Sequence, residues 1–253
     1  MARYFITLSY NGSNFNGWQI QLNTPNTVQQ TLEDNFSLIF KEKVAVTGCG
    51  RTDAGVHARN YVAHIDLQKT LSSEELNKIC FKLNKILPPS ISIQHIKAVK
   101  PEAHARFDAT ARVYQYYISQ QKNPFRHAFT HYVYGEINFD LMNQAAKLLC
   151  EYNDFTSFSK LHTQNKNNLC EISYAQWLPC GEQEWLFKIT ANRFLRGMVR
   201  AIVGTLLQVG RNKISIEEFR TIIEAKNRSK AGENAPPQAL FLCGIQYPKQ
   251  LCV

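Results

Sequence analysis

Apolar and polar residues alternate from Arg3 to Tyr10, with Tyr4, Ile6, Leu8 and Tyr10 on one side, and this period of two predicts a half-buried strand. Asn11, Gly12 and Ser13 then supply turn chemistry. After Thr27 the period lengthens. Thr27 to Gln30 forms a capping-box pattern, T-x-x-Q, and Val28, Leu32, Phe36 and Ile39 recur at helical spacing behind it. A short strand is expected at Val44–Cys49, followed by a loop, Gly50–Gly55, and a second alternating strand, Tyr61–Leu67. Ser72 and Glu75 cap a helix carrying Leu76, Ile79, Cys80, Leu83 and Leu87, which Pro88 and Pro89 end. Ile91–Val99 reads as another strand.

The polar stretch Lys100–Ala105 divides the chain into an expected first subdomain, residues 1–104, and a second, residues 105–253. The second opens with a strand near Val113–Ile118 and a helix over Phe139–Cys150. Strands follow at Ile172–Leu178 and Trp185–Thr190, then a helix from Phe194 to Val209. Another helix starts at Ser215, whose S-x-x-E pattern with Glu218 marks an N-terminus. Lys226–Pro237 reads as a loop and Leu240–Tyr247 as a final strand. The expected fold class is therefore α/β (α+β): two related subdomains, with a mixed, largely antiparallel sheet flanked by helices. The two halves resemble one another in element content, without a repeat of sequence.

Charge narrows the partners. The net charge of +9 favours a polyanion, either nucleic acid or an anionic membrane surface. No run of about 20 apolar residues is present, so no membrane span is expected. No signal peptide is read before the first strand, and the expected location is the cytoplasm. Seven cysteines, Cys49, Cys80, Cys150, Cys170, Cys180, Cys243 and Cys252, are scattered without a C-x-x-C pair, which points away from a disulfide framework and from a zinc ribbon. No His/Cys/Asp cluster has metal-ligand spacing, so neither metal nor cofactor is expected.

The residue of greatest chemical interest is Asp53. It sits in a loop with Gly50 and Gly55 on either side, after a strand, where glycines permit a tight turn and close approach to a ligand. A carboxylate displayed in this way is able to act as nucleophile or base, and it is equally the ordinary residue of a turn. Tyr114 and Tyr116 share one face of a strand, as half-buried packing residues or as a stacking surface. Arg193, Arg196 and Arg200 are expected on one helical stripe, facing either solvent or RNA. His57 and His104 are candidate acids or structural residues, and Cys49 reads as apolar packing.

Gly50-Arg51-Thr52-Asp53-Ala54-Gly55-Val56-His57-Ala58 resembles the signature of the TruA family of tRNA pseudouridine synthases. The likeness runs along nearly the whole chain. It includes Tyr10–Gln19, His104–Phe107, Ala109–Tyr116, Asn153–Phe158, Ala191–Phe194, Met198–Gly204 and Ala235–Leu242. One departure is Ala239, where the family often has glycine. The resemblance implies the pseudouridine synthase fold, with a basic cleft between the two halves, and a homodimer in which one tRNA touches both chains. It implies isomerisation of uridines 38, 39 and 40 in the anticodon stem-loop, without cofactor or metal. Asp53 then matches the catalytic aspartate. Arg51 matches an arginine that pairs with it and assists base flipping. Tyr114 matches the tyrosine that stacks on the uracil, Arg200 an arginine near the carboxylate, and Leu240 an apolar residue against the base. Whether Asp53 attacks C1′, adds to C6 of the base or removes a sugar proton stays open. Rival readings from the residues alone are a non-catalytic RNA-binding module and an RNA hydrolase. The first gives no reason for Asp53 in its glycine loop; the second needs a metal cluster or an acid/base pair.

Overall fold

Tyr4, Ile6, Leu8 and Tyr10 alternate into the interior of the first strand, β1 (Ala2–Tyr10), as the period of two requires. The computed structural model describes residues 1–22, 24–160 and 167–251; Cys252, one of the seven cysteines, lies outside them. The described residues fall into two compact units, Met1–Thr110 with residues 242–251, and Ala111–Phe241.

In the first unit, β1 is followed by helix α1 (Val28–Phe40), strands β2 (Thr47–Gly48) and β3 (His57–Leu67), helix α2 (Ser73–Ile86) and strand β4 (Ile91–Val99). β1 lies between β3 and β4, antiparallel to both, with Ile6 opposite Ala63 on one side and Ile96 on the other. Ser72 and Glu75 close the reciprocal capping box that the sequence predicts for α2. At α1 only half of that device forms. The Thr27 hydroxyl accepts from the Gln30 amide at 3.3 Å, while the Gln30 side chain donates to Asp34 instead.

The strand expected over Val44–Cys49 shrinks to β2. The reason is local competition: the Val44 amide donates to Ser37 Oγ and the Val46 amide to Glu33 Oε1, each at 3.0 Å. Side chains of α1 thus take the donors a longer ladder would need.

In the second unit, strand β5 (Ala111–Ser119) precedes the two-residue strand β6 (His131–Tyr132), helix α3 (Phe139–Leu148), strands β7 (Ile172–Gly181) and β8 (Glu184–Ala191), and helices α4 (Met198–Gly210) and α5 (Ile216–Glu224). β8 lies between β5 and β7, antiparallel to both, and β6 runs parallel to β5. The architecture is the mixed, largely antiparallel sheet with flanking helices expected from the pattern. α4 is buried on nearly every side, from Met198 and Val199 through Ile202, Val203 and Leu206 to Val209, and forms the axis of this unit's core. It starts later than its apolar pattern suggests. Gly197 at φ +74° breaks the path before Met198, and the Lys160 amide takes the carbonyl of Arg196. Arg193 and Arg196 therefore do not share a helical stripe with Arg200. The last strand, β9 (Leu240–Gln246), starts in the second unit and belongs from Leu242 onward with the first.

Candidate active site

The loop that carries Asp53 rests on the turn that follows β1, and glycine is what lets the two meet. A Cβ at Gly12 would lie 2.0 Å from the carbonyl oxygen of Val56, and one at Gly17 would lie 2.7 Å from that of Thr52, where φ is also +90°. Backbone bonds close the contact: the Trp18 amide donates to Thr52 at 3.2 Å and the Gly55 amide to Phe15 at 3.3 Å. The Tyr10 and Thr52 hydroxyls bond at 2.8 Å in the interior, and the Tyr61 hydroxyl donates to the Gly50 carbonyl. Trp18 stacks on Tyr61 at 4.0 Å between centroids beneath the loop. Asp53 itself is half-buried, and its carbonyl accepts from the Val56 amide at 3.2 Å, which makes the turn. Its carboxylate is thus displayed on a backbone that has almost no freedom.

His57 is structural. Its ring is buried and its Nδ1 accepts from the Gly12 amide at 3.0 Å, so that nitrogen carries no proton. His104 is likewise an acceptor, from the amides of Arg106 at 3.1 Å and Phe107 at 3.3 Å. Burial, with Arg3 nearby, holds its pKa below the ordinary histidine value. Cys49 is buried, as apolar packing requires.

Arg51 is exposed at the edge of the same loop, and its Nε donates to Gln19 Oε1 at 3.2 Å. Gln19 in turn donates to Gln29 Oε1 at 3.1 Å, and Gln29 donates to the Val46 carbonyl at 3.0 Å. This chain of amides sets the direction of Arg51. Gln19 stands beside Gly17 and Trp18 in the sequence, but its partner lies 32 positions away, out of reach of any local pattern. A hollow of about 240 Å³ opens here, lined by Arg51, Gln19, Trp18, His104, Arg106 and Phe107 among others.

Three other candidate residues lie in the second unit. Tyr114 is half-buried on β5, with its ring edge-on to Phe194 at 5.0 Å and 86°. Its neighbour Tyr116 is fully buried and its hydroxyl donates to the Pro236 carbonyl at 3.0 Å. The two tyrosines therefore divide the roles that the sequence left open: Tyr116 packs, and only Tyr114 retains access. Arg200, on α4, donates its Nε to the Ala235 carbonyl at 2.7 Å, and the Ala235 amide returns a bond to the Arg200 carbonyl at 3.0 Å. Gly204 and Gly232 permit this approach, since a Cβ at Gly204 would lie 1.8 Å from the Glu233 carbonyl oxygen. The segment so fixed leads through Pro237–Ala239 into Leu240, which is buried at the start of β9. A larger hollow of about 760 Å³ beside Trp185 and the start of α3 is lined by none of the candidate residues.

A family profile described as tRNA pseudouridine synthase matches residues 6–108 and 145–248. The tRNA pseudouridine synthase A of Bacteroides thetaiotaomicron is 51% identical over 253 residues, covering 99% of this chain and 93% of that one. The proteins of the same name from Parabacteroides distasonis and Porphyromonas gingivalis are 51% and 52% identical, each aligned over 99% of this chain and over 98% and 99% of their own lengths.

Proposed function

The chain belongs to the family of tRNA pseudouridine synthases and is thus an isomerase that acts on tRNA, and on that premise we propose that it converts uridines 38, 39 and 40 of the anticodon stem-loop to pseudouridine, with Asp53 as its catalytic residue. The observation that carries the choice of Asp53 is the way its loop is held. Two glycines, a buried hydroxyl pair and a stacked Trp–Tyr pair fix the turn, yet Asp53 itself is only half-buried in it.

The reaction breaks the N1–C1′ bond, turns the uracil and joins C5 to C1′. The C5 proton is lost and N1 ends protonated, so product and substrate have the same atoms and no redox equivalent is consumed. A uridine stacked in a stem is out of reach of any side chain, and the nucleotide must leave the stack first. In this reading Arg51, aimed by Gln19, holds a phosphate or fills the vacated space. Tyr114 gives the extruded uracil an aromatic face. Arg200 supplies positive charge from a backbone-locked position, and Leu240 an apolar wall. The protein works in the cytoplasm as a homodimer on this reading.

The test incubates purified protein with unmodified tRNA and locates pseudouridine by base-specific derivatisation and mass spectrometry. Wild type is expected to modify positions 38–40, and Asp53→Asn to bind tRNA and leave every uridine intact. Turnover by Asp53→Asn at the wild-type rate would remove Asp53 from the chemistry.

A further inference from the structure

We propose that the hollow beside Arg51 is a second nucleobase subsite, which takes an unstacked base of the tRNA other than the target uridine against the exposed ring of Phe107. The inference deepens the reading above and rests on the loop of Arg51 and Asp53 facing RNA.

The segment His104–Asp108 is tied at every backbone amide. The His104 amide donates to Asp108 Oδ2 at 2.7 Å, the Ala105 amide to His64 Nδ1 at 3.1 Å, and those of Arg106 and Phe107 to His104 Nδ1; the Asp108 amide returns to the His104 carbonyl at 3.1 Å. The Tyr247 hydroxyl adds a bond to the Ala105 carbonyl. Such a knot is rigid, and it leaves Phe107 73% exposed. A phenylalanine displayed on a fixed backbone, and left largely exposed, offers a stacking platform. One face is supported by the His104 ring at 4.2 Å, and the Arg106 guanidinium lies 5.7 Å from the ring centre.

The remaining walls fit a nucleotide. Arg51 and Arg106 put two guanidinium groups at the rim, where a phosphate is attracted. Gln19 lines the hollow with one amide N–H and one oxygen acceptor site left over from its bonds to Gln29 and Arg51, able to donate to and accept from a base edge, while the amide of Gln29 is fully used by Gln19, Ile20, Glu33 and Val46. Its volume of about 240 Å³ holds one planar base. The net charge of +9 and the tRNA substrate of the family decide between occupants, since an aromatic ring in a hollow that two arginines also line matches a base with its phosphate better than an apolar protein surface. Arg51 stands two residues from Asp53, so a base held here anchors the RNA immediately beside the proposed reaction centre.

The experiment measures tRNA affinity at fixed salt for Phe107→Ala, Phe107→Leu and Phe107→Tyr, each in the Asp53→Asn background so that binding is read without turnover. Loss of the ring is expected to weaken binding about 5- to 150-fold, the equivalent of the roughly 1–3 kcal/mol of a base stacked on an aromatic ring. The leucine variant should be as weak as alanine, and tyrosine should stay within about twofold of the parent. If leucine restores binding, or alanine binds like the parent, Phe107 only packs and the proposal fails. A benzophenone side chain installed at position 107 should crosslink to tRNA at a nucleotide other than the target; a crosslink to a second copy of the chain would overturn the assignment. The outcomes are separable: an active Asp53→Asn enzyme refutes the catalytic role and leaves the affinity series standing, and the converse also holds.

Discussion

Lowering the pH should weaken the first unit through one residue, His64. Its Nδ1 accepts the Ala105 amide, its ring is buried against Phe5 and His104, and its pKa is lowered from 6.5 to about 4. Burial is the main cause; Arg3 and His104 lower it further, and Asp66 opposes them. In the unfolded chain the ring titrates near 6.5, so between that value and about 4 the unfolded state holds more protons than the folded one. Stability is therefore intact above pH 6.5 and is lost as pH falls towards 4. The two pKa values give a loss of about 2 kcal/mol at pH 5 relative to pH 7.5. His64→Gln keeps an acceptor for the amide but does not titrate. Denaturant unfolding of both proteins from pH 7.5 to pH 4.5 separates this contribution from the carboxylates and the other histidines, which titrate in both. The difference in unfolding free energy between wild type and variant should change by about 2 kcal/mol between pH 7.5 and 5. Parallel curves would show that His64 is not the proton-linked group and that the bond to Ala105 survives acid.

Further outcomes follow from the geometry and from the charge. Gly204→Ala places a methyl group 1.8 Å from the Glu233 carbonyl oxygen; it should cost more than about 3 kcal/mol in unfolding free energy, and a variant as stable as wild type would mean that the α4 contact with Glu233 is absent in solution. Tyr114→Ala should slow single-turnover isomerisation about 5- to 150-fold with a smaller effect on tRNA affinity. Tyr114→Phe should keep the stacking and lose any proton transfer by the hydroxyl, and a wild-type rate for the alanine variant would make Tyr114 a packing residue. The logarithm of tRNA affinity should fall linearly with the logarithm of salt concentration, and a flat response would show that the positive surplus is not the RNA footprint.

What the sequence reveals most clearly is whatever is encoded over a few neighbouring residues. The strands β1 and β4, the capping boxes at Ser72 and Ser215, and the glycine loop of Asp53 can all be read from adjacent positions, because their causes are local. Where a distant group intervenes, the reading falters. Val44 and Val46 look like strand until Ser37 and Glu33 take their amides. The stripe of Arg193, Arg196 and Arg200 dissolves because Gly197, at positive φ, starts the helix only at Met198, although the apolar pattern before it suggests an earlier start. Asp53 and Arg51 were found through a motif, yet nothing in the spacing shows that Gln19 aims Arg51. Nothing near Tyr116 in the sequence shows that Pro236 claims its hydroxyl and leaves access to Tyr114.

One device occurs in both units. In the first, Gly12 and Gly17 let the turn after β1 lie against residues 52–56, and the carboxylate of Asp53 is presented from the seam. In the second, Gly204 and Gly232 let α4 lie against Glu233–Ala235, and Arg200 is presented from that seam, bonded through both its backbone and its Nε. A side chain anchored this way cannot follow a moving ligand, because any shift must separate two backbones in contact and break their hydrogen bonds. An isomerase that must release a base, let it turn and recapture it needs that asymmetry. The uracil moves through a large rotation while C1′ and its ribose stay in place, so a reacting group gains from being fixed and a group that only holds the turning base gains from being a featureless face. Under the proposed assignment, Asp53 on its locked loop would meet the first requirement. The flat ring of Tyr114, which offers a stacking surface in any in-plane orientation of the base, would meet the second.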